Sequence, residues 1–429
     1  MKMKNRLFLI QIILLIGSEL IAQPNTGSLP NENIEYKPFI KTVLLYKAGF
    51  EMSSPVILLN SNEKLELTFD DLDSDLKHYK YTIVHCESDW TTSTLVSESD
   101  YIDGFREEQI DQHSYSNNTT VHYTHFSTTF PSDNMRPKIS GNYIMKVYIE
   151  DPAEIAFTRR FSIVESSPVG ITGEVHQATN PAYKYTKQKL DFEVHLNGMR
   201  IGDPSREIRI VIRQNDRIDN ANTTLKPRFN SSDVLDYNYD EENNFNGGNE
   251  FRNFDTKSLM YQSERINKIE YDSGVYRVYL LDDLKRTSKN YISDKDINGR
   301  MVIRCDGHPE SGETEADYAW VHFFLKSDIF ITGPVYIVGA LTGWEVNENS
   351  KMKYNPSLKG YEKWIYLKQG YYNYLFVLKD AHTSSTDESV IEGSHWETEN
   401  VYTVFVYLHE LGGMTDRLIG VQDLGSTHN

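Results

Sequence analysis

The chain has 429 residues with 44 Lys and Arg against 62 Asp and Glu, a formal net charge of −18, and 12% of its residues are aromatic, Tyr alone contributing 28. The length suggests about three domains of roughly 150 residues. The acidic balance argues against a sequence-independent nucleic-acid binder, which needs a basic footprint, and against electrostatic docking on an anionic membrane; the aromatic excess suits half-buried strands.

Lys2, Lys4 and Arg6 precede an apolar run from Leu7 to Gly17, and Ala22-Gln23 offers a cleavage point. This predicts a signal peptide over residues 1–22. The run is short of the ~20 residues that span a bilayer and is followed by Glu19. Its removal takes three positive charges and one negative, leaving −20. No Cys stands at the cleavage point to carry a lipid, and the two cysteines, Cys86 and Cys305, supply neither a disulfide framework nor a metal spacing. They read as buried thiols. No later apolar run reaches 18 residues, so a spanning helix is not expected. An outer-membrane barrel also alternates, but the runs here are mostly short, and the chain closes on Gly-Ser-Thr-His-Asn with no terminal strand. The expectation is an exported, soluble protein without direct membrane insertion.

From there the chain alternates with period two. Leu65, Leu67 and Phe69 alternate with polar residues, as do Tyr79, Tyr81 and Ile83, then Tyr143, Met145, Val147 and Ile149. Leu190 to Leu196 and Ile208 to Ile212 repeat the pattern, and helical periodicity is scarce. One-faced strands at near-regular spacing predict an all-β protein of about three tandem immunoglobulin-like β-sandwich domains. The expected divisions are residues 33–165, 169–326 and 331–429. Within the second, 216–255 is dense in Asn and Asp and lacks alternation, which predicts a long polar loop, either mobile or binding.

Chemical motifs are sparse. A phosphate loop, a nucleophile elbow and a zinc-protease helix are absent from the sequence. Asp294-Lys-Asp296-Ile-Asn298-Gly299 opens like a calcium loop, but its twelfth position is Cys305, so a polar turn is expected. His122 and His125 would not share a face of a strand. No catalytic residue, cofactor or metal ligand is assigned, and small-molecule partners are not expected. Val335 to Phe376 carries a strand–Gly–loop–Trp344 opening, then Gly360-Tyr-Glu-Lys-Trp364 and Gly370-Tyr-Tyr. It resembles the early-set β-sandwich modules that bind glycogen, in which Trp344 would match a sugar-stacking platform. The Lys expected between the hairpin aromatics is Leu375, and no second platform follows, which favours packing for Trp344.

A series of clusters spans most of the chain: His85-Cys-Glu-Ser-Asp-Trp90, Gly104-Phe105, Tyr123-Thr-His-Phe126, Ser140-Gly-Asn-Tyr143, Thr158-Arg-Arg-Phe161, Gln214-Asn215, Gly248-Asn-Glu-Phe-Arg252, Asp296-Ile-Asn-Gly299, Ala316-Asp-Tyr318 and Leu367-Lys-Gln-Gly370. In order and spread they resemble the plug protein family of the type IX secretion system of Bacteroidota. The resemblance implies a non-enzymatic periplasmic protein that docks on the inner side of the outer-membrane translocon barrel and occludes its pore when no cargo is engaged. On that reading Phe245, Asn249, Phe251 and Phe254 in the polar loop would be contacts to the barrel. The alternatives are an exported glycan-binding protein using Trp344 with Trp364 or Trp396, and a secreted hydrolase with a carboxylate pair in a cleft.

Overall fold

The structure, a computed structural model, describes residues 31–230, 233–306, 312–380 and 385–426. The expected signal peptide lies outside the described residues. Among those, helix is confined to single turns, and no helix is long and apolar enough to cross a membrane.

In the first sandwich, strands Ile40–Lys47, Leu65–Asp71, Thr124–Phe130 and Gln112–Tyr115 form one sheet. Val56–Leu58, Ile155–Val164, Gly141–Ile149, Tyr79–Cys86 and Glu108–Ile110 form the other. Because successive side chains point to opposite faces, Leu65, Leu67 and Phe69 meet Tyr79, Tyr81, Ile83, Tyr143 and Met145 in one core. Phe69 stacks on Phe126 at 5.1 Å and meets Tyr79 edge-on at 4.9 Å. Tyrosine serves in such cores because the ring contributes apolar area while its hydroxyl still finds an acceptor. Tyr79 donates to Asp71 at 2.8 Å, Tyr143 to the Ile139 carbonyl at 2.7 Å and Tyr402 to Gln188 at 2.6 Å.

The second and third sandwiches are divided differently from the sequence expectation. Ile208, Ile210 and Ile212 present one apolar face and need a paired neighbour that presents another. Strand Val401–Leu408 supplies it, running antiparallel to Ile208–Gln214 and to Arg417–Gly425. The last strands of the chain therefore complete the second sandwich, packing Tyr402, Val404 and Val406 on Leu190, Phe192 and Val194. The third sandwich joins residues 252–326 with 335–379. Gly370–Lys379 pairs with Arg252–Asp255, Met301–Ile303 and Val335–Val338. Gly360–Lys368 pairs with Tyr318–Lys326. The boundaries 169–326 and 331–429 are corrected accordingly, and the glycogen-module-like segment is no self-contained unit.

The stretch 216–255 is not a free loop either. Val234–Asp236 and Asn244–Asn246 pair with strand Lys187–His195, and Arg252–Asp255 enters the third sandwich. Its Asn and Asp side chains make the turns between these short strands: Asn222 accepts from the Thr224 amide at 3.1 Å and Asp236 from the Asn238 amide at 2.7 Å. Such residues satisfy turn backbone locally, which is why high polarity did not mean absence of order.

Candidate functional site at the junction of the three sandwiches

The sandwiches are joined by buried and part-buried polar contacts. Between the first and third, Lys368 reaches Asp70 at 2.6 Å, with both side chains 1% exposed. Asp70 also accepts from Tyr318 at 2.6 Å and lies 2.7 Å from His125 Nδ1. Burial would raise the Asp70 carboxyl, but the Lys368 ammonium and His125 hold it below the usual carboxylate range. Beside this cluster Asp317 accepts the backbone amides of Thr120 and Val121 at 2.7 and 3.0 Å. Between the first and second, Asp416, held within the second by Arg209 at 2.7 Å, accepts from the Ser88 amide at 2.9 Å, and Tyr407 donates to Asn142 at 2.9 Å. Between the second and third, Arg217 pairs with Glu388 at 2.9 Å in near-complete burial.

Where the three bodies meet, a crevice of about 160 Å³ opens. Its walls come from all three. The outward face of Ile208–Gln214 brings Arg213, because Ile208, Ile210 and Ile212 occupy the other face. The first sandwich contributes Arg159 and Arg160 from Ile155–Val164 and Trp90 from the turn after Tyr79–Cys86. The third contributes Arg300 and Trp344. Trp90 and Trp344 both have positive φ, 68° and 64°, a backbone region that bulky residues seldom enter.

The electrostatics of this crevice are uneven. Four arginines face it against Glu51 and Asp216. Arg159 pairs with Glu35, Arg160 with Glu345 at 2.9 Å, and Arg300 with Asp216 at 2.7 Å. Arg213 has no carboxylate within salt-bridge distance among the described residues; its guanidinium stacks on Phe405 at 4.6 Å and on Trp90 at 5.4 Å. Arg160 lies over the same Trp90 ring at 5.2 Å. Burial holds Arg213 below the usual guanidinium range, and burial with the nearby Arg213 charge does the same for Arg160 despite Glu345. Arg213 Nη2 and Arg160 Nε are enclosed and have no acceptor.

The residues expected to contact a partner lie elsewhere and inside. Phe245 packs in the second core against Tyr402, and Phe254, 0% exposed, stacks on Tyr372 in the third. Phe251, 4% exposed, packs beneath Trp344. Asn249 is half-buried and donates to the Glu392 carbonyl at 2.9 Å. The three phenylalanines are therefore core residues, placed there because the stretch that carries them is built into both sandwiches. Trp344 meets Phe251 edge-on at 6.3 Å and closes over Gly299, where a Cβ would come within 2.4 Å of its ring. That is a packing position.

The two acidic clusters found among the described residues at metal-ligand spacing also make structural contacts. Lys77 fills the centre of the Asp71–Asp73–Asp75 cluster, 2.9 Å from Asp71 and 3.1 Å from Asp73. The Glu87–His409–Asp416 group forms the clip between the first two sandwiches. Asp296 accepts from the Asn298 amide at 2.7 Å, making the polar turn expected of the calcium-like segment. Arg252 bridges Glu392 and Asp283 in the third core. Cys86 and Cys305 are buried thiols.

The sequence displayed the pieces of the crevice without their meeting. Asp89-Trp90 and Thr158-Arg-Arg-Phe161 stand among the clusters noted above, whereas Arg213 reads only as the polar partner of an alternating strand. Its signal is a second cation beside Arg209 on that strand's outward face.

Comparison with known proteins places these features in context. Residues 40–165, the span of the first sandwich, match the family described as type 9 secretion system plug protein 1st domain. A crystal structure of a hypothetical protein from Parabacteroides merdae is similar over 92% of this chain and 99% of its own, with 35% identity and a TM-score of 0.89. No curated protein matches the chain.

Proposed function

Because the chain belongs to the same family as the Parabacteroides merdae protein and carries a type 9 secretion system plug first domain, we propose that it is a non-enzymatic periplasmic plug. It docks on the inner side of the outer-membrane translocon barrel of that system and occludes the pore when no cargo is engaged. The first-domain match carries this reading and supports a plug role in type 9 secretion.

Two physical features agree with it. A stopper for a wide aqueous pore must resist deformation, and three packed cores joined by buried pairs such as Lys368–Asp70 and Arg217–Glu388 give a stiff body. Opening requires release, which suits a docking surface of ordinary size, about 1,200–2,000 Å², with a polar rim. The Phe245, Phe251 and Phe254 side chains are excluded from that surface by their burial.

The test is affinity purification of the tagged protein from detergent-solubilised outer membranes. The translocon barrel should accompany it in stoichiometric amount. Recovery of the plug alone, under conditions that keep the barrel folded, would contradict the docking.

A further inference from the structure

We propose that the crevice at the three-sandwich junction accepts one carboxylate-bearing side chain presented by a docking polypeptide, with Arg213 as the group that pairs with it. The inference rests on the docking role only for the source of that side chain; the site stands on its own geometry.

Arg213 is the reason. A guanidinium withdrawn from water loses several kcal/mol of solvation, and proteins ordinarily restore it with a carboxylate. Here two aromatic faces, Phe405 and Trp90, lie against the guanidinium, and the nearest crevice carboxylate, Asp216, favours its charge from beyond salt-bridge distance while pairing with Arg300. Arg160 shares the Trp90 ring and keeps its Nε without an acceptor, although Glu345 takes its Nη1. Two enclosed cations thus converge on one indole, with N–H groups left over on both. A carboxylate entering the crevice meets the partly exposed side of Arg213, supplies the counter-charge that Arg213 lacks at salt-bridge distance, and suits the planar fork of the guanidinium.

Size and rim narrow the choice. At about 160 Å³ the crevice is well below the ~300–1,000 Å³ of ordinary small-molecule sites, and holds about one side chain. In the turn 49–53, Met52 lines the crevice and is 47% exposed, and Phe50, 65% exposed, lines the open cleft that shares Met52 with it. A free anion would leave these apolar groups in water, whereas a polypeptide carrying the acidic side chain covers them. The partner so defined bears an Asp or Glu flanked by apolar residues.

The experiment titrates the full chain with N-acetylglutamate methylamide, its neutral glutamine counterpart, and acetate, following the Trp90 and Trp344 indole N–H signals by NMR. The glutamate probe should shift both signals saturably, the glutamine probe should not, and Arg213→Gln should weaken the response at least tenfold. Arg213→Lys, which keeps the charge without the fork, should retain part of it. A response equal for both probes, or unchanged in Arg213→Gln that melts like the parent, overturns the site. In a second arm, Arg213→Gln should reduce recovery of the barrel tenfold or more. Probe binding lost with barrel recovery unchanged overturns the polypeptide as occupant. A parent protein that binds the probe but never recovers the barrel contradicts the plug reading and supports the site.

Discussion

Lys368 and Asp70 show what a single residue contributes to holding separate sandwiches together. Each is almost wholly enclosed, so removing one leaves the other as an uncompensated charge. Lys368→Met should therefore cost about 3–5 kcal/mol in urea unfolding, and the Lys368→Met/Asp70→Asn double variant clearly less than the sum of the singles. Simple additivity would mean the pair does not couple the sandwiches. Glu250 makes a prediction of opposite sign. Burial pushes its carboxyl up to about 7, so the folded state keeps a proton that the unfolded chain releases near 4.5. Its contribution is present below pH 4.5 and lost as pH rises through 7. Glu250→Gln should remove that slope, gaining roughly 2 kcal/mol at pH 8 relative to pH 4.5, as read from denaturation midpoints across the range. An unchanged slope would place the titration elsewhere.

Strands, rather than residues, decide which parts of the chain can stand alone. The first sandwich is contiguous and has its own core, so residues 31–165 should fold alone, with one cooperative transition. Residues 169–326 should not, because Ile208–Gln214 would lose the strand Val401–Leu408 that covers its edge. Ending the chain at Asn400 should likewise expose the second core to limited proteolysis within the remaining strands. Stable, protease-resistant 169–326 would contradict the shared sheet. These boundaries also show how far the sequence could be read. Period-two alternation located strands such as Leu65–Asp71 and Gly141–Ile149, since their faces depend on local pattern alone. It could not show that strand 208–214 pairs with one almost two hundred residues later, because a β ladder carries no record of its partner's position. The Asn-rich stretch 216–255 misled for a related reason. Its strands are too short to alternate, and their order comes from turn side chains. Trp90 and the Arg159-Arg160 pair were visible as residues, but their convergence with Arg213 is a property of three bodies meeting.

At the scale of the whole molecule, an acidic β-built body presents a cation-lined crevice at the point where all three sandwiches touch. Any displacement of one sandwich would reshape that crevice, so occupancy there and the relative placement of the bodies are linked through the same contacts. Interaction with the barrel should accordingly weaken when the junction is loosened without touching the surface. Lys368→Met, if folded, should release the barrel more readily than a surface change of equal charge such as Lys268→Met, measured as barrel retained after a salt wash. The central claim is that the protein closes a pore, and outer-membrane permeability of cells that keep the translocon but lack this chain tests it most directly. Uptake of a fluorescent solute too large for ordinary porins should rise on deletion and return to the parental level on re-expression. Uptake unchanged by deletion, with the barrel still present in the membrane, would contradict it.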